Sequence, residues 1–87
     1  LCTPTAEHFI QATGCLNRGW HLLCEKPLAS NREQVLKLIA RSEAVQSKGQ
    51  VFSLGYQRRH TSLYRTLRRE VLSGNWGRVR AVVSHNV

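Results

Sequence analysis

Glu25-Lys26-Pro27 sets a carboxylate, an ammonium and a stiff ring side by side. The tripeptide follows the apolar run Trp20-His21-Leu22-Leu23-Cys24 and precedes a helix start at Ser30-Asn31-Arg32-Glu33. Read this way, both charges emerge at the C-terminal end of a buried strand. In open α/β sheets that edge is where ligands bind. The proline stops the strand and restricts Lys26 to extended backbone. A lysine held there can hydrogen-bond a reacting oxygen, stabilise developing negative charge and tune a proton transfer. Taken alone, the tripeptide is a surface Glu–Lys pair in an ordinary turn; its placement makes it a candidate site.

The elements that must position it alternate. Thr3-Pro4-Thr5 reads as a strand-to-helix junction, with Thr3 or Thr5 as the cap and Pro4 suited to a first helical position. A helix is expected from about residue 5 to 18, with Ala6, Phe9, Ala12, Cys15 and Leu16 as its apolar stripe and Gly19 as its C-cap. Residues 20–24 form a short strand whose continuous apolar character predicts burial on both faces. Ser30 and Glu33 make a capping box for a second helix that carries Val35, Leu38, Ile39 and Val45 and ends at Lys48-Gly49. Val51-Phe52-Ser53-Leu54 is the next strand, and the basic loop Tyr56-Gln57-Arg58-Arg59-His60 leaves its C-terminal end. A third helix covers about 61–73, with Leu63, Leu67, Val71 and Leu72 on one side and arginines on the other. After the turn-rich joint Ser73-Gly74-Asn75-Trp76-Gly77, residues 78–87 alternate with period two and predict a half-exposed strand.

The order α-β-α-β-α implies right-handed crossovers and a parallel sheet. It predicts that Thr3-Pro4, Glu25-Lys26-Pro27 and Tyr56 to Arg59 converge at one sheet edge. Two strands are too few for a self-sufficient doubly wound sheet, so a further parallel partner is expected on the N-terminal side.

With 87 residues and 41% hydrophobic composition, the chain has room for one small domain and is too apolar for disorder. No apolar run approaches the roughly 20 residues of a membrane span, and no signal peptide is visible at Leu1-Cys2-Thr3-Pro4. The chain contains no Met, which leads us to expect a fragment of a longer, cytoplasmic polypeptide. Cys2, Cys15 and Cys24 lack the paired spacing of a zinc site, no metal is expected, and the three read as small buried thiols in a reducing compartment. The net charge of +8 is uneven: residues 44–87 hold eight basic side chains and one acidic one. That half could meet nucleic acid, a phosphorylated ligand or an acidic surface.

Four segments, in order, resemble the Gfo/Idh/MocA oxidoreductase family, whose members include glucose–fructose oxidoreductase and inositol dehydrogenase. They are Thr3-Pro4-x-x-x-His8, Gly19-x-His21-Leu22-Leu23-Cys24-Glu25-Lys26-Pro27-Leu28-Ala29, Gly55-Tyr56-Gln57-Arg58-Arg59-His60, and Gly74-Asn75-Trp76-Gly77-Arg78-Val79. The resemblance covers essentially the whole chain. It implies the C-terminal half of a Rossmann-type parallel-sheet domain over residues 1–74, then a joint and the first strand of an α/β substrate domain over 75–87. The implied parent uses NAD or NADP on a sugar, cyclitol or related polyol and forms a homo-oligomer. The Gly-x-Gly-x-x-Gly that holds a pyrophosphate does not occur here, so the chain by itself is expected to be inactive.

The resemblance assigns Lys26 to catalysis and to substrate and nicotinamide contact. Glu25 would accept hydrogen bonds from the nicotinamide-side ribose, and Pro27 would shape the loop. Whether Pro27 does so through a cis bond is not readable from sequence. Thr3, Pro4, Thr5 and His8 would pass close to the cofactor, although a His in a first helical turn is also a common packing or capping residue. Arg59, favoured over Arg58, would lie near nicotinamide or substrate. His60 would touch substrate or cap the next helix. His85 and Asn86 read as an ordinary sheet edge. The alternative is a small basic module binding nucleic acid through residues 56–80; it explains the charge but neither the placement of Glu25-Lys26-Pro27 nor the βα alternation.

Overall fold

Helix α1 (Thr5–Asn17) begins directly after Pro4, which occupies the N-cap without a side-chain cap bond. A computed structural model supplies this geometry and describes residues 1–85. The expected Thr3 cap does not form, because the Thr3 hydroxyl donates instead to Gln11 Oε1 at 2.7 Å. The helix ends as its sequence requires. Gly19 takes φ +77°, and the Gly19 and Trp20 N–H groups donate to the Leu16 and Cys15 carbonyls at 3.2 and 3.1 Å. This is the paired-bond cap that glycine makes possible.

Strands β1 (Leu22–Cys24) and β2 (Phe52–Leu54) are parallel, with Leu22 opposite Phe52 and Cys24 opposite Leu54. The other side of β1 is also occupied. The Leu1 nitrogen donates to the Leu23 carbonyl at 2.5 Å, and the Leu1 carbonyl accepts from the Glu25 N–H at 2.9 Å. That alternation is the bonding pattern of a parallel pair, so β1 is held from both sides. At the opposite end, the buried Gln50 amide donates to the Trp20 and Leu16 carbonyls at 2.6 and 3.3 Å and fixes where both strands begin.

Helix α2 (Arg32–Gln46) is capped by Asn31, whose Oδ1 accepts the Gln34 N–H at 3.0 Å. The expected Ser30–Glu33 box is therefore displaced by one residue. Glu33 instead bonds Lys37 one turn on, at 2.7 Å, and that hydrogen bond holds its carboxyl below the ordinary range.

Ala12 and Leu16 of α1, Leu22 and Cys24 of β1, Ala29, and Leu38 and Val45 of α2 form the core. Only one face of the sheet is covered in this unit. Leu23 on the other face is 65% exposed, against the expected burial on both. Strand side chains alternate between faces, so a layer on one side leaves every second residue open.

The chain divides into two compact units, Leu1–Tyr56 and one that begins at Gln57. The second contains a 3-10 turn (Gln57–His60) and α3 (Ser62–Ser73), which ends at Gly74 with φ +74°. Leu63, Leu67 and Leu72 on the apolar side of α3 are all exposed. The strand expected over 78–87 is absent from residues 78–85, and Asn86 and Val87 lie outside the described residues. A strand exists through its ladder, and no neighbouring strand is present there to complete one. Among the described residues no helix is long and apolar enough to cross a membrane.

The three cysteines differ, contrary to expectation: Cys2 is exposed, Cys15 half-buried and Cys24 fully buried. Burial pushes the Cys24 thiol up, which suppresses the reactive thiolate. In pulsed alkylation read by mass spectrometry, Cys2 should be modified in the folded chain and Cys24 only once denaturant opens the core.

Candidate active site

The parallel register brings three chain segments to one sheet edge. Thr3-Pro4 follows the Leu1 pairing, Glu25-Lys26-Pro27 follows β1, and Gly55-Tyr56 follows β2. This is the convergence expected from the βα order, as far as Tyr56.

Glu25 is exposed, and its Oε2 accepts the N–H of its own neighbour Lys26 at 3.2 Å. Its carboxylate also lies against the backbone of Gly55, where an added Cβ would stand 3.2 Å from Oε1. Gly55 is fixed in turn, since its N–H donates to the Cys24 carbonyl at 2.8 Å. The glycine after β2 thus forms one wall of the Glu25 position. Sequence reasoning did not single it out as a site residue; its signal was a residue without a side chain directly after a strand.

Lys26 is exposed, and among the described residues no carboxylate lies within ion-pair distance of its ammonium. Its charge is not spent on Glu25, as an ordinary surface pair would have it. The Lys26–Pro27 peptide is cis. Of the other expected site residues in this unit, Pro4 is exposed, Thr3 and Thr5 are half-buried, and His8 is buried with both ring nitrogens against backbone carbonyls.

Arg58, Arg59 and His60 belong to the second unit, where all three are exposed in the 3-10 turn. His60 does not cap α3; the N-cap is Thr61, whose hydroxyl donates to the Arg58 carbonyl at 2.9 Å. Arg65 and Arg68 are exposed on α3, and Arg69 meets Glu70 at 3.5 Å. A shallow cleft in the first unit is lined by Leu28, Ile39, Phe52 and Leu54, and no residue of the Glu25–Pro27 loop takes part in it.

The chain is similar to known dehydrogenases. The chain is 33% identical over 78 residues to an inositol 2-dehydrogenase of Rhodococcus erythropolis, covering 90% of this chain and 22% of that protein. It is 41% identical over 44 residues to a scyllo-inositol 2-dehydrogenase (NADP(+)) of Bacillus subtilis, covering 51% of this chain and 13% of that one. Among solved structures, the WlbA dehydrogenase of Chromobacterium violaceum, in complex with NADH and UDP-GlcNAcA, superposes with a TM-score of 0.76 at 26% identity. That match covers 90% of this chain and 22% of the other. The chain therefore matches about a fifth or less of the length of these relatives. The model of the Gfo/Idh/MocA oxidoreductase family, described as having an NAD-binding Rossmann fold, matches residues 1–56, the same unit whose parallel strands carry Glu25 and Lys26, and the chain belongs to that family.

Proposed function

We propose that the chain is the nicotinamide-side portion of an NAD(P)-dependent oxidoreductase acting on a sugar, cyclitol or related polyol. The observation that carries the reading is the exposed Lys26 ammonium, without an ion-pair partner among the described residues, beside Glu25 at the carboxyl edge of a parallel sheet. The names of the relatives, inositol 2-dehydrogenase and 1,5-anhydro-D-fructose reductase, supply the substrate class.

The residues fit one half of a dinucleotide. Only one oxygen of Glu25 carries a bond to the chain, so the carboxylate retains acceptor capacity for a ribose diol. Nothing in the chain has the glycine pattern for the pyrophosphate. A bound nicotinamide supplies the hydride acceptor. Lys26 would hydrogen-bond the substrate oxygen with a proton held at Nζ and stabilise the negative charge that develops there as hydride leaves to the nicotinamide, while the hydroxyl proton passes to a base or to solvent. Thr3, Pro4 and Thr5 line the neighbouring loop, and the family resemblance assigns Arg59 and His60 to substrate. In the same proposal, residues 75–87 open the substrate domain, and the parent is a cytoplasmic homo-oligomer.

The test uses the full-length protein with oxidised NAD or NADP and myo-inositol, and with reduced NADH or NADPH and 1,5-anhydro-D-fructose, followed by nicotinamide absorbance. Turnover of neither compound, and of no other sugar or polyol, defeats the reading. Glu25→Gln should weaken cofactor binding about 5- to 100-fold, the range for losing a hydrogen bond to a charged acceptor, with a smaller change in kcat. Calorimetric titration with cofactor checks this, and an unchanged Kd removes Glu25 from the ribose.

A further inference from the structure

His8 is 1% exposed, yet among the described residues it belongs to no ion pair. Its Nδ1 lies 2.8 Å from the Pro27 carbonyl oxygen, and its Nε2 lies 2.8 Å from the Thr3 carbonyl oxygen. Those carbonyls sit on two of the loops that leave the carboxyl edge. Both are acceptors, so a ring nitrogen can bond either of them only where it carries a hydrogen. Neutral imidazole donates to one of them, and imidazolium donates to both.

The Pro27 bond matters because, beside the packing of Leu28 and Ala29 against the core, it is what ties the loop's backbone by hydrogen bonding. Proline has no N–H to offer, and the Lys26 N–H turns back onto Glu25. Among the described residues, the His8 contact is the sole hydrogen bond from Lys26–Ala29 to another element. Thr3, by contrast, has a second anchor through its hydroxyl on Gln11, which is itself bonded to Glu7 at 2.7 Å.

We propose that His8 is a positioning residue: from α1 it fixes the Pro27 carbonyl and thereby sets where Lys26 stands at the sheet edge. The proposal rests on the reading of Lys26 as the reacting-oxygen partner. Misplacing such a group by about 1 Å costs on the order of 100-fold in rate, so one backbone anchor is enough to matter.

The two ring nitrogens can be tested separately in the full-length enzyme. The amide of His8→Asn falls near the Nδ1 position and keeps a donor toward Pro27. The amide of His8→Gln reaches the Nε2 position and keeps a donor toward Thr3. Polyol turnover is measured per folded enzyme, normalised by cofactor binding. We expect kcat of His8→Gln to fall about tenfold or more below that of His8→Asn, with KM for polyol moving much less. A merely structural histidine would not rank the two variants this way; equal kcat values, or the reverse order, overturn the proposal. If His8→Gln is not recovered folded, His8→Phe takes its place and the same order is required. Repeating the pair in a Lys26→Ala background should abolish the difference. A difference that persists there shows that His8 does not act through Lys26, while the reading of Lys26 stands. A Lys26→Ala enzyme with unchanged kcat defeats that reading, and this proposal with it, before any His8 variant is made.

Discussion

Replacing Lys26 by alanine in the full-length enzyme lowers kcat by ~100-fold or more, the scale of a positioned acid–base or electrostatic group. The reason is local. An ammonium with no carboxylate within ion-pair distance among the described residues keeps its hydrogen-bonding capacity for whatever oxygen arrives at the sheet edge. Cofactor affinity should change far less, because this chain holds no pyrophosphate-binding glycines. Lys26→Arg should not restore the rate. The guanidinium is planar, remains protonated throughout and puts its donors in different places. Single-turnover measurements separate the hydride step from cofactor release. A Lys26→Ala enzyme with near-normal kcat and only a higher KM would make the lysine a uniform binding group and end the catalytic assignment.

Leu38→Ala destabilises the fold by about 2–5 kcal/mol, the range for emptying a buried leucine site. Leu38 is 1% exposed on α2 and belongs to the cluster containing Ala12 and Leu16 of α1 and Leu22 and Cys24 of β1. Its loss therefore loosens the layer against which β1 is set. Leu36, on the same helix but 47% exposed, is the control and should cost under about 1 kcal/mol. Urea titration decides this: the midpoint should drop in Leu38→Ala with little change in slope. Equal midpoints for the two variants would show that the cluster is not the main support of the unit.

What could be read from the residues was mostly what local chemistry decides. The glycines at 19, 49 and 74 stop helices by accepting positive φ, and all three do so. The βα alternation required parallel strands, and the register places Cys24 beside Leu54 so that both exits meet. Errors arose where two local solutions compete or where the answer lies across space. Ser30 and Asn31 are adjacent cap candidates, each followed three residues later by a side chain that can reach back, and backbone geometry chose Asn31. The apolar run at β1 predicted two covered faces, but Leu23 is exposed because coverage depends on a second layer rather than on the strand. The alternation over 78–85 describes a surface that a partner strand would complete. His8 carries the same lesson at the site. The family resemblance marked it as notable, but the Pro27 carbonyl that it meets is nineteen positions away and invisible to any local pattern.

The contact between Gly55 and the Glu25 carboxylate has a practical corollary for anyone redesigning cofactor or substrate preference. A library that randomises residues 25 and 26 silently fixes the shape of its answer through residue 55, thirty positions downstream. With a Cβ at 55, the Glu25 carboxylate or another long side chain at 25 would have to shift by a few tenths of an ångström. A Gly55→Ala change would narrow the room for those side chains at 25 that reach as far as the Glu25 carboxyl group does. Position 55 belongs in the design as a held constant or as a deliberately covaried third site.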